Sequence, residues 1–285
     1  MKYKYKIALI VVYFGEFPWF FKYFLHSSLF NPSIDFFILT DNDVLFDLPN
    51  NVKFIRYNMK QLNKDASESL CLNINISHGY KLCDFKPAYG IIFSKLLKGY
   101  DFWGYCDIDL IWGDIRGFIT SDLLNRFDVI SARHDYLTGS FTLYRNNNLI
   151  KKIFKQSKDY KKVYTSDRNF CFDETNYAFK KFGDGIHHSM IQTEIESMTH
   201  IVKRMQENNE LKVFFDLLIL EGLPGSITWS EGKLSYRKTF ELMYYHFIAL
   251  KEIYFENEMQ FSSSPKTFKI TKKKIMTRYA YKIFI

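Results

Sequence analysis

Short apolar runs alternate with amphipathic stretches in the first half of the chain. The uninterrupted apolar run at 7–14 is typical of a strand buried on both faces of a parallel sheet. The mostly apolar runs at 34–40 and 52–57, which include a few charged residues, predict a second and a third strand. Between the first two runs, residues 19–29 carry apolar side chains at helical spacing, and Pro18 suits the first turn of a helix. The order strand, helix, strand predicts an α/β fold with a central, mostly parallel sheet flanked by helices.

A helix predicted at 86–98 begins the next set of elements. Pro87 lies near its start and Gly99 follows its end, which are ordinary boundary signals for a helix. An aromatic strand at 100–106 comes directly afterwards, and another strand is predicted at 127–132. Less regular patterns predict strands at 140–144 and 242–247 and helices at 173–181 and 190–205.

Two aspartates end the aromatic strand. Asp107 and Asp109 are two positions apart, so in an extended chain their carboxylates point to one face. Trp103 and Trp112 flank the pair, and partly buried charges require a compensating partner such as a metal ion. Carboxylate oxygens suit Mg²⁺ or Mn²⁺, which bridge protein carboxylates and the phosphates of a bound nucleotide. Because Asp-x-Asp is a common sequence, a plain acidic strand end is the competing interpretation.

The segment 100–115 resembles the Asp-x-Asp segment of nucleotide-sugar-dependent glycosyltransferases of the GT-A type. The order of the elements agrees with that superfamily from residue 7 to residue 250, including the segment 138–146. The resemblance implies a GT-A-like (Rossmann-like) catalytic domain at 1–255. It also implies a nucleoside-diphosphate sugar as the donor, with a UDP-sugar as the first choice, and Mn²⁺ or Mg²⁺ as the metal.

The same resemblance implies further residues for the donor and the metal. His246, on the predicted late strand, corresponds to a histidine that is the third metal ligand in several retaining GT-A families, beside Asp107 and Asp109. An imidazole ligand beside two carboxylates favours Mn²⁺. A packed core histidine is the alternative interpretation of His246. The implied cofactor-binding residues are Tyr13, Asp41, Lys86, Asp107 and Lys251.

Asp173 and Glu174 are the candidate catalytic residues. They open the helix predicted at 173–181, where acidic side chains would also favour the helix N-terminus for purely structural reasons. The resemblance implies instead that one of these carboxylates faces the acceptor as a general base or stabilises positive charge near the anomeric carbon. Both interpretations are open at this point.

The net charge of +8 is concentrated at the end of the chain, because the segment 265–285 holds seven basic and no acidic residues. Segment 256–266 has the composition of a linker, so we predict a linker and a basic amphipathic tail at 256–285. The tail, helical over 269–285, is expected to bind an anionic membrane surface. The rest of the chain is nearly neutral, which argues against a nucleic-acid partner.

The cysteines and the beginning of the sequence indicate a cytoplasmic protein. The four cysteines lie far apart, so neither a zinc site nor a disulfide framework is indicated. Glu16 interrupts the first apolar run and no small-residue cleavage site follows, so this run is interpreted as a strand and not a signal peptide. No apolar run reaches 18 residues. We therefore expect a cytoplasmic protein bound peripherally to the inner face of the membrane.

The function predicted from the sequence is a metal-dependent, hexosyltransferase-like glycosyltransferase that acts on a glycan or lipid-linked acceptor in surface polysaccharide synthesis. One alternative is a haloacid-dehalogenase-like phosphatase with Asp107 as its nucleophile and Asp109 as its acid/base. Residues 110–112 lack the hydroxyl expected after such a pair, which disfavours it. A non-catalytic protein that binds the membrane periphery is the other alternative.

Overall fold

A computed structural model describes residues 3–43 and 48–277 of the 285-residue chain. The described strands are β1 (Ile7–Tyr13), β2 (Ile34–Thr40), β3 (Val52–Arg56), β4 (Phe102–Cys106), β5 (Leu110–Trp112), β6 (Val129–Ser131), β7 (Phe141–Arg145), β8 (Val213–Phe214), β9 (Ile219–Glu221), β10 (Ile227–Ser230), β11 (Lys233–Tyr236), β12 (Phe240–Leu242), β13 (Tyr244–His246), β14 (Thr267–Ile270) and β15 (Ile275–Thr277).

The described helices are mostly short. Short 3₁₀ segments lie at Gly79–Lys81, Lys86–Ala88, Ile150–Gln156, His188–Met190 and Leu250–Glu252. The α-helices are α1 (Phe21–Leu29), α2 (Met59–Leu70), α3 (Leu82–Phe85), α4 (Tyr89–Ile92), α5 (Ile115–Phe118), α6 (Ser121–Arg126), α7 (Tyr160–Thr165), α8 (Phe179–Gly183) and α9 (Met198–Glu207). None of these helices combines the length and the apolar composition that crossing a bilayer requires.

A seven-stranded sheet forms the middle of the molecule. Its strand order is β3-β2-β1-β4-β7-β6-β8, and β7 is the strand that runs against its neighbours. The pairs β1–β2, β1–β4, β2–β3 and β6–β8 are all parallel. The predicted α/β fold with a mostly parallel central sheet and flanking helices is therefore confirmed.

Both faces of this sheet are covered, as the apolar runs predict. In β1, Ile7, Leu9 and Val11 lie in one core cluster with the aromatic side chains of α1. Ala8 and Ile10 lie in a second cluster, together with apolar side chains of α2, α4 and α9. Because successive side chains of a strand point to opposite faces, an unbroken apolar run is what a two-sided core requires.

Two smaller sheets adjoin the central one. The order in the first is β12-β11-β10-β14-β15, and that in the second is β5-β13-β9. The helix predicted over 269–285 is wrong where the structure describes this segment, since β14 pairs with β10 and with β15 there. Phe268, Ile270 and Ile275 are buried, and the lysines of the intervening turn are exposed. This pattern is the one expected of strands with one buried face. Residues 278–285 lie outside the described residues, and the domain boundary at 255 stays a prediction.

Several other predicted elements are shorter than expected. The helix predicted at 86–98 consists of the 3₁₀ turn at Lys86–Ala88 and α4, and Gly90 of α4 packs directly against the Trp103 ring. The helix predicted from Met190 begins only at Met198, and the late strand predicted at 242–247 is divided at Met243 into β12 and β13. In each case tertiary packing decides where a periodic apolar pattern becomes regular structure.

Candidate functional site

A cleft of about 390 Å³ opens at the carboxyl ends of β1 and β4. Its lining includes five of the residues singled out by sequence, listed here: Tyr13, Lys86, Asp107, Asp109 and Lys251. Apolar and aromatic side chains form the rest of the wall, among them Phe20, Tyr80 and Tyr89. The carboxyl edge of the parallel strands is the place where open α/β sheets bind their ligands.

Asp107, Asp109 and His246 form one cluster beside this cleft. One donor atom from each lies within 4.8 Å of the other two. Asp107 follows β4 directly, and its N–H donates to Ser140 O over 3.1 Å. Antiparallel pairing of β5 with β13 places His246 opposite Leu110, and the Phe247 N–H donates to Asp109 O. His246 Nε2 thereby lies 3.3 Å from Asp109 Oδ1.

Glu221 holds the other side of the His246 ring. The parallel pair β9–β13 sets these two residues opposite each other, and Glu221 Oε1 lies 3.0 Å from His246 Nδ1. Arg133 contacts the second oxygen of Glu221 at 3.3 Å. Burial alone lowers the pKa of His246, but hydrogen bonds to Asp109 and Glu221 outweigh burial and raise the pKa to about 10. Sequence reasoning missed Glu221 because its place is set by strand pairing and by no local motif.

The three donors fit a divalent transition-metal ion. Two carboxylates and an imidazole suit Mn²⁺ better than Mg²⁺, which prefers oxygen ligands throughout. Adjacent ligands at about 2.1 Å from an octahedral ion lie about 3 Å apart, close to the spacing between His246 Nε2 and Asp109 Oδ1. A carboxylate on Nδ1 is also the usual partner of a metal-binding histidine, because it leaves Nε2 directed at the ion.

Two lysines form ion pairs with the two aspartates. Lys86 Nζ lies 2.7 Å from Asp107 Oδ1, and Lys251 Nζ lies 2.7 Å from Asp109 Oδ2. Burial alone would raise the pKa of Asp109, but His246 and Lys251 hold it well below its ordinary value. Lys251 follows His246 by five residues, and the structure brings it to the cleft beside Asp109.

Asp173 and Glu174 lie behind Lys86, and neither is among the residues that line the cleft. Asp173 Oδ2 lies 3.7 Å from Lys86 Nζ, and Glu174 Oε1 accepts from Gly139 N–H at 2.7 Å. Burial raises the pKa of both carboxyl groups, and the Glu174 charge raises the pKa of Asp173 further. The pair therefore holds a proton more readily than two separate exposed carboxyl groups.

The acid pair lies in a turn and not at a helix start. The predicted helix from 173 is wrong, because α8 begins at Phe179 and the preceding residues Asn176 and Tyr177 have positive φ values of 53° and 62°. The helix-dipole explanation for the two acids therefore does not apply. Gly139 comes so close to this turn that a Cβ there would lie 2.6 Å from Asp173 Oδ2.

A buried ion pair fixes the backbone that leads into this turn. The Asp84 carboxylate accepts from Phe170 N–H and Phe172 N–H at 2.8 and 2.7 Å. Lys81, also fully buried, donates to Asp84 at 2.8 Å. Because both charges are removed from water, losing either partner would leave the other uncompensated. This anchor of the acid pair carries no recognisable sequence pattern.

Tyr13 and Asp41 lie at the ends of β1 and β2. Tyr13 lines the cleft, stacks on Phe17 with ring centroids 5.4 Å apart, and has a pKa raised by burial. Asp41 is not among the lining residues, and its carboxylate accepts from Gly15 N–H at 2.9 Å. Gly15 has a φ of +85°, so Asp41 supports the left-handed turn that ends β1. Its predicted contact with a nucleotide stays a prediction.

Comparison with known proteins gives one family and several distant structures. A model of a family of unknown function (DUF6625) matches residues 9–279. No curated protein matches the sequence. The galactosyltransferase LgtC, solved with donor and acceptor sugar analogues, is 13% identical over 75% of this chain and 75% of its own, with a TM-score of 0.34.

The glycosyltransferase GlyE of Streptococcus pneumoniae TIGR4 is a second similar structure. It is 12% identical over 74% of this chain, with a TM-score of 0.34, and this chain spans only 45% of its length.

Replacing Glu221 by Gln is expected to weaken Mn²⁺ binding by roughly 10- to 100-fold, because the amide no longer holds Nδ1 of His246 as a carboxylate does. Calorimetric Mn²⁺ titrations of the wild type and of the variant measure this effect. Glu231→Gln, at an exposed position in the turn between β10 and β11, is the matched control and should bind as the wild type does. Equal affinities in all three proteins would exclude Glu221 from the metal site.

Proposed function

This chain belongs to the DUF6625 family of unknown function, and we propose that it is a metal-dependent glycosyltransferase using a nucleoside-diphosphate sugar. The observation that carries the proposal is the Asp107, Asp109 and His246 donor set beside a cleft at the carboxyl edge of a parallel sheet. Support also comes from the resemblance of segment 100–115 to the GT-A Asp-x-Asp segment. A cleft of about 390 Å³ is within the size range of small-ligand sites.

Mn²⁺ or Mg²⁺ would be held by Asp107, Asp109 and His246, and when bound it would neutralise charge on the departing diphosphate. Lys251 lies in the cleft wall, where its ammonium group can bind phosphate oxygens as well as orient Asp109. Lys86 already donates to Asp107 and to Gly139 O, at 2.7 and 2.8 Å. We therefore assign Lys86 mainly to positioning, with the donor nucleotide lying along the aromatic wall of the cleft.

The acid pair is proposed to act on the acceptor side. Lys86 Nζ lies 3.7 Å from Asp173 and 2.7 Å from Asp107, so it connects the acid pair to the metal cluster. A change of charge at one of these carboxylates therefore changes the electrostatic potential at the other. Glu174 is partly exposed whereas Asp173 is buried, which makes Glu174 the better candidate for contact with a substrate hydroxyl. In this assignment Asp173 keeps Lys86 and Glu174 in place.

The acceptor is proposed to be a glycan or lipid-linked sugar at the inner face of the cytoplasmic membrane, in surface polysaccharide synthesis. The basis for placing the acceptor at the membrane is the positive charge of the five-stranded sheet, where Arg237, Lys238, Lys269 and Lys272 line one cavity. No acidic residue is among the described residues of that lining. Lysines close to an anionic surface contribute about 1 kcal/mol each to membrane binding.

Asp109→Asn is predicted to lower sugar transfer by roughly 10²- to 10³-fold or more, because it removes a charged metal ligand without changing side-chain volume. Hydrolysis or transfer from UDP-, GDP- and CMP-sugars with Mn²⁺ measures the activity, and the melting temperature monitors the fold. Asp122→Asn, which changes an exposed aspartate, should be fully active. Unchanged transfer in Asp109→Asn would refute the metal site, and phosphate release from simple phosphomonoesters by the wild type would favour the phosphatase alternative.

For the acid pair, Glu174→Gln is predicted to lower turnover by roughly 10²- to 10⁴-fold with donor affinity almost unchanged. Asp173→Asn should lower turnover and also the melting temperature, because it removes a buried partner of Lys86. Single-turnover rates, donor titrations and thermal melts separate these effects. If both variants turn over normally, the acid pair is not part of the active site.

Membrane binding is predicted to depend on the lysines at 272–274. Changing all three to Gln should lower binding to anionic vesicles by roughly 10²-fold, and high salt should mimic the change. Lys60, Lys64 and Lys95, changed together to Gln, give a control with the same net charge. Cosedimentation with vesicles measures the partition, and equal losses in both variants would mean that overall charge and not this surface is responsible.

A further inference from the structure

A second cluster of metal-binding side chains lies away from the cleft. It consists of His187, His188 and Glu207, whose donor atoms lie within 4.8 Å of one another. None of the three lines the cleft described above. Two adjacent histidines are not a spacing that identifies metal ligands in a sequence. The fold brings the third donor, Glu207, to them as the last residue of α9.

One carboxylate faces both imidazoles. His187 Nε2 lies 2.6 Å from Glu207 Oε1, and His188 Nε2 lies 2.8 Å from Glu207 Oε2. The two rings are side by side, with centroids 4.5 Å apart. Two imidazole nitrogens and one carboxylate are a donor set that Zn²⁺ and neighbouring transition metals bind, with water completing the coordination.

The surroundings favour ligation by the outer ring nitrogens. Ser189 holds the Nδ1 side of the His187 ring, with its hydroxyl 2.8 Å from Nδ1 and its N–H donating to Nδ1 over 3.4 Å. Nε2 is therefore the ring nitrogen that faces Glu207 and can bind an ion. His188 is buried, whereas His187 and Glu207 are about half exposed and can adjust. Tetrahedral ligands at about 2.0 Å from zinc are about 3.3 Å apart, so small outward movements of these two side chains suffice.

The cluster opens into a cavity and joins two segments of the chain. A cavity of about 360 Å³ is lined by all three residues and by His134. His187 directly precedes the 3₁₀ segment that begins at His188, and Glu207 ends α9, so an ion there would cross-link two segments. At the other end of α9, Met198 N–H donates to Phe172 O and Thr199 N–H to Glu174 O. An ion at one end of this helix therefore stabilises the element that holds the acid-pair turn.

We propose that His187, His188 and Glu207 form a structural binding site for Zn²⁺ or a similar transition-metal ion, separate from the Asp107, Asp109 and His246 site. This proposal does not depend on the glycosyltransferase activity. Its expected signature is a zinc ion that raises the melting temperature and remains bound in Asp109→Asn, in which the cleft site has lost a ligand.

The test is a Zn²⁺ titration against a chromophoric chelator, with thermal melts, on the full chain. Glu207→Gln and His187→Ala are expected to weaken zinc binding at least about 10-fold and to remove the zinc-dependent rise in melting temperature. His134→Ala, in the same cavity but outside the cluster, and Asp109→Asn should retain both effects. Circular dichroism verifies that each variant is folded, and the exposed position of His187 makes that variant the less disruptive one.

Two results would overturn the proposal. The first is absence of micromolar zinc binding by the wild type, which would leave the cluster as a pair of histidine–glutamate ion pairs. The second is zinc binding that Asp109→Asn abolishes while Glu207→Gln retains it, which would assign the ion to the cleft. Neither result bears on whether the cleft transfers sugars.

Discussion

The candidate site depends on the pairing of β5 with β13. This short antiparallel contact joins the Asp-x-Asp segment to a strand from late in the chain and sets His246 beside Asp109. The parallel contact of β13 with β9 then adds Glu221 behind the ring. Without these two pairings, Asp107 and Asp109 would be an acidic strand end with no third donor. The three-stranded sheet therefore supplies the imidazole of the cluster.

Burial of charge is the constraint that organises the surrounding side chains. Asp109 is only 6% exposed and is compensated by His246 and Lys251. Lys86 is compensated in turn by Asp107 and Asp173. Removing one member of such a network leaves a buried charge without a partner, which costs more than the pair itself contributes. The network therefore holds its side chains in fixed positions before any ligand binds, which reduces the entropy lost on binding.

Local sequence patterns predicted the sheet and the aspartates because both depend on neighbours in the chain. The apolar run of β1 requires a two-sided core, and residues two apart on a strand end share a face. The role of His246 could be predicted only from the resemblance to a known superfamily. Glu221 and the Lys81–Asp84 ion pair could not be predicted, because contacts between distant segments place them.

The errors have physical causes of the same kind. Around residues 267–277 the apolar positions fit both a helix and two short strands, and pairing with β10 decides for strands. The acids at 173 and 174 look like a helix start. Backbone N–H groups before them donate to Asp84, and the residues after them include two with left-handed conformation, so the segment forms a turn. In both segments the local sequence is compatible with either structure, and only long-range contacts determine which one forms.

A calorimetric titration of the wild-type protein with UDP, and separately with GDP, in Mn²⁺ and in EDTA tests the central claim most directly. The account predicts that a nucleoside diphosphate binds with Mn²⁺ and that binding is lost or greatly weakened when the metal is removed. Equal affinity in Mn²⁺ and EDTA, or no binding of either nucleotide in Mn²⁺, would contradict it.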